Sequence, residues 1–345
     1  MLRILQVGLG PLGIRVVEDL YDRRLGRVVA AVDQDPQLIG RSLSKIVEVP
    51  DGPTVHGHLS GIEDLSDVRC AIVTTNSDLE LCMDTFRCLL AEGVAVVSTC
   101  EELSWPWLRH PILAQELHEM CIRYGGRIVG TGVNPGFLMD ALPVAVSMVC
   151  RKVRSVEIER IQDASSRRIP FQKKIGAGLD DIEFERRVAN KTLRHVGLGE
   201  SLFFVAHYLG LEVERWEETI APVHADTELE CGLGKISKGA ARGVRQTATG
   251  WVDGEERLKL LFHAAIDEPN PCDRITIDGD PPLRVEIPGG VHGDVATSAA
   301  CMNVIRPLLS AEPGLHTMAS IALQGCTPPD DFAPPLHKMG PPPAS

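Results

Sequence analysis

The chain has 345 residues, 44% of them apolar, and a formal net charge of −12. That length exceeds one ordinary hydrophobic core, so two domains are expected. The acidic balance excludes nucleic acid as the partner, since phosphate binding needs a clustered basic surface. No run of the roughly 18 apolar residues that a spanning helix requires is present, so no membrane partner is expected. Residues 1–5 lead straight into a Gly-rich turn without a signal-peptide pattern, which predicts a cytoplasmic protein. Ten cysteines are scattered without a Cys-x-x-Cys pair or zinc-type His spacing, so they read as reduced, mostly buried apolar residues, and no metal is expected.

In chain order, a strand over 2–8 runs directly into Gly8-Leu9-Gly10-Pro11-Leu12-Gly13, and residues 14–20 carry apolar positions at helical spacing. A second strand over 28–32 ends at Asp33, which lies 20 residues beyond Gly13. A lone G-x-G-x-x-G is weak, but between a strand and a helix, with an acid closing the next strand, it reads as a dinucleotide site. Gly8 permits the tight turn, Gly10 lets the backbone approach a pyrophosphate, and Gly13 lets helix and strand pack closely. Pro11 and Leu12, in the same turn, are candidate cofactor contacts, and the helix that follows turns its positive end to that anion. Asp33 is expected to accept the ribose hydroxyls, which favours NAD; Asp35 and Arg41 keep NADP open. The bland alternative is an ordinary turn with Asp33 capping a loop.

Strands over 70–74, 94–98 and Arg127–Gly130 alternate with helices over Leu79–Ala91 and 112–124. This pattern predicts a doubly wound parallel sheet of Rossmann type. Ligands in such sheets lie at the carboxyl ends of the strands, so Thr74, Thr75 and Asn76 are candidate contacts to the nicotinamide half, or else turn formers. The Ser-Thr-Cys-Glu-Glu segment at 98–102 brings two carboxylates, Glu101 and Glu102, to the same crevice. Adjacent side chains diverge, so one is expected to face the substrate while the other caps a helix or meets solvent.

Beyond residue 150 the texture changes. Strands are predicted over 153–161, 244–252, 258–267, 274–277 and 283–287, and helices over 180–190, 201–209 and 294–309. The fold class is therefore α/β: an N-terminal Rossmann domain at 1–150 and a second α+β, mainly antiparallel domain at 151–290 for substrate and dimerisation. A C-terminal helix and strand at 291–325 are expected to return to the first domain. Residues 326–345 are Pro-rich and read as a disordered tail.

Three segments, VSTCEELSWPWL at 97–108, GTGVNPGFLMDALP at 130–143, and GGVHGDVATSAACMNVIRPLL with PGLHTM near the C-terminus, resemble the 2,4-diaminopentanoate dehydrogenase family. That family is related to dihydrodipicolinate reductase-like oxidoreductases and includes native amine dehydrogenases, and the resemblance extends to about residue 321. It implies oxidative deamination, in which hydride leaves an amine-bearing carbon for the nicotinamide, water adds to the iminium, and ammonia departs. The reverse is reductive amination of a ketone.

The resemblance places the active-site carboxylate on Glu101 rather than Glu102. It also suggests that Asn134 orients the nicotinamide amide or the substrate, that Phe137 walls the pocket, and that the second domain covers the substrate. His195, His292 and Thr297 are then candidate pocket residues, although an isolated His is more often structural. Arg160 either pairs with a ligand carboxylate or with Asp163. The expected partners are a small amine or amino-ketone and ammonia, with a homodimer as the assembly. Two further readings stay open: an imine or aldehyde reductase, and a non-catalytic dinucleotide-binding sensor.

Overall fold

A computed structural model of the chain describes residues 1–327. Strands β1 (Leu2–Val7), β4 (Cys70–Val73) and β5 (Ala95–Ser98) are short apolar runs, and β4 and β5 are buried at every position. A strand covered on both faces needs apolar side chains in both directions, which is what these runs supply. With β2 (Gly26–Val32), β3 (Val55–His56), β6 (Arg127–Gly130) and β15 (Gly314–His316) they form a parallel seven-stranded sheet in the order β15-β6-β5-β4-β1-β2-β3.

Alternation along β1 divides the core. Ile4 packs with Val16 and Leu20 of α1 (Pro11–Asp22) and with Ile305 and Leu308 of α8 (Gly293–Ser310). Leu5 and Val7 point the other way, toward Phe86 of α2 (Leu79–Ala91) and Leu117 of α3 (Pro111–Tyr124). The last long helix thus packs on the Rossmann sheet, and β15 pairs with β6 at its edge.

The second half is built on a six-stranded sheet ordered β14-β13-β7-β12-β11-β8. Its members are β7 (Lys152–Asp163), β8 (Arg215–His224), β11 (Ala241–Val252), β12 (Glu255–Ala265), β13 (Cys272–Asp280) and β14 (Leu283–Pro288). All neighbours are antiparallel except β7 and β12. Helix α7 (Leu198–Leu209) covers one face through Leu198, Leu202, Phe204 and Val205, in the same core as Val244, Ala248, Leu258 and Leu260. Strand β8 was not foreseen. It is an edge strand whose residues alternate between exposed and half-buried almost throughout, so its charged sequence carries little apolar signal.

Two short elements matter for the site: a turn of π-helix, Phe137–Ala141, and helix α5 (Ile169–Lys174). At the C-terminus the Thr327 amide donates to Asn303 Oδ1 at 2.9 Å and its carbonyl accepts from Arg23 Nη2 at 3.0 Å. The chain is therefore held to residue 327, which corrects a disordered start at 326. The rest of the expected tail lies outside the described residues. Among the described residues no helix is long and apolar enough to cross a membrane.

Candidate active site

The glycine loop between β1 and α1 is held from beneath. Gln6 Nε2 donates to the Gly8 carbonyl at 2.8 Å and to Thr74 Oγ1 at 2.9 Å, and the Thr74 hydroxyl also contacts that carbonyl at 3.0 Å. Gly8 sits at φ +92, in the left-handed region that disfavours a side chain. A Cβ on Gly13 would lie 2.0 Å from the Gly8 carbonyl oxygen, so the close approach of loop and helix excludes any larger residue. A Cβ on Gly10 would instead meet nothing within 4 Å. Gly10 is the N-cap of α1 and has no side-chain cap, so an open cradle lies before the first turn of that helix. That is the shape a pyrophosphate requires.

Asp33 follows β2, its Oδ2 accepting from the Leu9 amide at 2.5 Å and its Oδ1 from the Asp35 amide at 2.8 Å. Each oxygen keeps a lone pair for a ribose hydroxyl.

A cavity of about 430 Å³ opens beside this loop. Its first wall comes from the carboxyl ends of the parallel strands: Gly10, Pro11 and Leu12, then Thr74, Thr75 and Asn76, then Thr99 and Glu101, then Thr131 to Pro135. Thr75 touches Cys82 Sγ, and Asn76 Oδ1 accepts from the Asp78 amide, so both side chains also shape their loop.

The adjacent carboxylates diverge. Glu101 faces the cavity, with Oε2 shielded from solvent and without a hydrogen-bond partner. Burial pushes its pKa up, while Lys174 in α5, with Nζ 3.8 Å from Oε1, the Ser77 hydroxyl and Arg194 pull it back. Glu102 turns into the protein. Its Oε2 accepts from the Leu79 amide at 2.9 Å, capping α2, and lies 3.0 Å from His110 Nε2. That oxygen is engaged by the protein, and Glu102 is absent from the cavity lining.

Asn134, before the cis-Pro135 bond, places Nδ2 2.7 Å from His195 Nε2. An amide nitrogen can only donate, so Nε2 accepts and Nδ1 carries the imidazole proton. The ring stacks on Phe262 at 4.2 Å, and burial holds its pKa well below the usual value, so the imidazole is neutral. Asn134 Oδ1 is left shielded and unpartnered. Thr297, on α8, accepts from the Val133 amide at 3.2 Å and lines the same cavity.

Three expectations are corrected. Phe137 does not wall this cavity: Gly136, at φ +127 with its amide held by Asp140 Oδ2 at 2.6 Å, turns the chain away. The ring lines a separate apolar groove with Leu138, Val291, Ala296 and Ala300. His292 is not in the cavity lining; its Nδ1 accepts from the Val295 amide and caps α8. Arg160 does line the cavity, but its partners are Asp273 at 3.0 Å and the Val291 carbonyl, not Asp163, which accepts from Ser165.

The second wall contains residues that sequence reasoning missed: Arg167, Arg168, Phe171, Lys174, Arg194 and Phe262. The signal available was the cluster Arg167-Arg168 and Lys173-Lys174 within a chain of net charge −12. Asp140, buried behind the Asn134 turn, was also missed; burial raises its pKa to about 6. Among the described residues no group of His, Cys, Asp and Glu is arranged to hold a metal ion.

A Rossmann sheet, an open glycine cradle and a second sheet closing over a carboxylate define a two-domain dinucleotide-binding fold. An amine dehydrogenase from Mycobacterium smegmatis shares it, with a TM-score of 0.81 at 20% identity over 94% of this chain and 97% of that one. Residues 137–331 match the sequence model of the 2,4-diaminopentanoate dehydrogenase C-terminal domain, and the chain belongs to that family. It is 26% identical to a 2,4-diaminopentanoate dehydrogenase from Acetoanaerobium sticklandii, over 92% of this chain and 93% of the relative. It is 24% identical to an amine dehydrogenase from Streptomyces virginiae, over 91% and 94% respectively.

Proposed function

We propose that the protein is an NAD(P)-dependent oxidoreductase acting on the CH–NH2 group of a diamino acid or small amine, and in reverse on a ketone and ammonia. The observation that carries this reading is Glu101 Oε2, a shielded carboxylate oxygen without a partner in a cavity shared with the open glycine cradle. A carboxylate in a partly dry site holds a cation far better than it would in water. Glu101 therefore receives the ammonium, stabilises the iminium, and moves protons as water adds and ammonia leaves.

The bound nicotinamide supplies the hydride acceptor. Gly8, Gly10, Pro11, Leu12 and Gly13 would hold its pyrophosphate, and Asp33 its adenosine ribose, favouring NAD. Thr74, Thr75, Asn76 and Asn134 would border the nicotinamide half. His195, neutral and fixed by Asn134, and Thr297 border the substrate. A two-copy assembly through the second sheet belongs to this proposal and is measured by sedimentation.

The test is oxidation of NADH and NADPH with a panel of small ketones, with and without ammonium, beside Glu101→Gln. Ammonium-dependent oxidation that the variant loses supports the proposal. Equal oxidation without ammonium assigns the protein to the imine or aldehyde reductases, and binding without oxidation makes it a sensor.

A further inference from the structure

Two of the ten cysteines, Cys82 and Cys100, meet beside the cavity. Cys82 stands near the start of α2, and Cys100 immediately precedes Glu101. Their side chains hydrogen-bond to each other. Both residues are buried, 1% and 2% exposed, so neither meets bulk solvent directly. Together they hold one loop from behind. Cys82 Sγ lies 3.6 Å from the Asn76 carbonyl oxygen and 3.8 Å from Thr75 Oγ1, and Cys100 Sγ lies 3.3 Å from the Ser77 carbonyl oxygen. Thr75, Asn76 and Ser77 all line the cavity. The two sulfurs therefore sit just behind the wall that the proposed function gives to the nicotinamide half.

The pair is chemically uneven. A thiol is oxidised through its thiolate, and a donor beside the sulfur favours that form. The hydrogen bond from Cys100 outweighs burial and holds Cys82 below the ordinary thiol range. The same bond, with burial, pushes Cys100 well up, so that thiol keeps its proton. One sulfur is thus suited to attack an oxidant and its neighbour to resolve the product. Cys70 and Cys301 also neighbour each other, but burial pushes both up to about 12, away from the reactive form.

We propose that Cys82 and Cys100 form a reversible disulfide under hydrogen peroxide, and that this bond weakens dinucleotide binding by releasing the loop from Thr75 to Ser77. The Cys82 thiolate attacks one peroxide oxygen and the O–O bond breaks. Cys82 becomes a sulfenic acid, and the leaving hydroxide takes up the proton that the Cys82 thiol gave up. The Cys100 sulfur then attacks the Cys82 sulfur, the S–O bond breaks, and the departing hydroxide takes the Cys100 proton. Two thiols lose two electrons, and one peroxide becomes two waters. A dithiol reductant returns the electrons.

The effect on the loop follows from the contacts. Bond formation removes the S–H groups and draws the two sulfurs together, away from the carbonyls they touch. The Ser77 carbonyl keeps the Glu102 amide at 3.2 Å, but the Asn76 carbonyl loses its thiol neighbour. The Ser77 hydroxyl, a hydrogen-bond partner of Glu101, rides on the same loop. Binding couples in both directions, so a dinucleotide that needs the loop in place also opposes the disulfide.

The test treats the whole protein with hydrogen peroxide and measures NAD+ affinity by calorimetric titration before treatment, after it, and after dithiothreitol. Non-reducing peptide mapping with fragmentation is expected to find Cys82 bonded to Cys100, with Cys70 and Cys301 reduced. NAD+ binding should weaken about 3- to 10-fold, the scale of one lost hydrogen bond, and recover with dithiothreitol. Saturating NAD+ during the treatment should slow formation of the bond. Cys82→Ser and Cys100→Ser should each bind NAD+ as the reduced wild type does and lose the response to peroxide. Cys88→Ser, at an exposed thiol, should keep that response.

The proposal is overturned if peroxide leaves Cys82 and Cys100 unbonded or bonds either to another cysteine. A Cys82–Cys100 bond that leaves NAD+ affinity unchanged also overturns it, as does formation at the same rate under saturating NAD+. Should a serine variant fail to fold, the mapping and the affinities of the wild type decide alone. The readouts are a bond and a binding constant, so they are independent of whether ammonium-dependent oxidation is found.

Discussion

The two walls of the cavity use different chemistry. The wall from the parallel sheet is mostly backbone, hydroxyl and amide, with a single acid, Glu101; the wall from the second half carries Arg160, Arg167, Arg168, Lys174 and Arg194. Backbone amides and glycine clearances suit a ligand whose shape never varies, such as a dinucleotide. Long charged side chains suit a ligand that differs between relatives, because each can be exchanged without disturbing a strand. The comparison therefore separates a geometry built of backbone from one built of exchangeable side chains, and in the proposed function Glu101, alone on its wall, takes the reacting amine.

The largest test of that division is Glu101→Gln. It is expected to lower kcat for ammonium-dependent ketone reduction by about 10²- to 10⁴-fold, with dinucleotide affinity, read by fluorescence titration, unchanged. A comparable loss of cofactor binding would erase the distinction between the walls. The raised pKa of Glu101 also places the acid limb of the wild-type profile above the carboxylate's ordinary 4.5, and the variant should lack that limb.

Asp140 lies outside the cavity lining, behind the Asn134 turn, with Oδ2 on the Gly136 amide. Its carboxyl ionises near 3.8 in an unfolded chain and at about 6 in the fold. Between those values the unfolded state holds fewer protons, so rising pH weakens the fold, and the deficit is constant above about 6. Asp140→Asn lacks this penalty. Its stability relative to wild type should improve by about 2–3 kcal/mol between pH 4 and pH 7 in urea unfolding. A difference that does not change with pH would show that the site does not hold the carboxyl neutral.

Gly13→Ala sharpens the first wall, since its Cβ collides with the Gly8 carbonyl. Melting should show a loss of about 2 kcal/mol, accompanied by weaker NAD+ binding. The smallest effect is expected for Glu102→Ala, which removes the acceptor of the Leu79 amide at the start of α2 while the Asp78 cap remains. About 1 kcal/mol of stability should be lost, with kcat within a few-fold of wild type; a loss as large as that of Glu101→Gln would reopen the choice between the two acids.

The first wall was readable in the sequence because its causes are local. Gly8 to Gly13 and Asp33 belong to one strand–turn–helix–strand unit, and strands buried on both faces write themselves as uninterrupted apolar runs. The second wall is not local. Arg167 and Lys174 reach the cavity only because β7 pairs with β12 and carries the loop after it toward Glu101. That register depends on residues about a hundred positions apart. Phe137 failed for a similar reason: one glycine at positive φ and a buried acid four residues from it redirect the chain, and neither is visible as a period. Arg160 lies three residues before the end of β7, and its partner Asp273 comes from the neighbouring strand β13.

The return of the C-terminus has a consequence for synthesis. β6 acquires its outer neighbour, β15, only at residues 314–316, and α1 its cover only with α8. While the chain emerges from the ribosome, the glycine loop and its helix are made early but wait for nearly the whole sequence before one flank and one sheet edge are closed. An exposed edge strand and an uncovered apolar face are the features chaperones and misassembly exploit. Vectorial folding of the first 150 residues alone should therefore stall as a protease-sensitive intermediate, detectable in stalled nascent chains, that becomes resistant once residue 316 has left the exit tunnel.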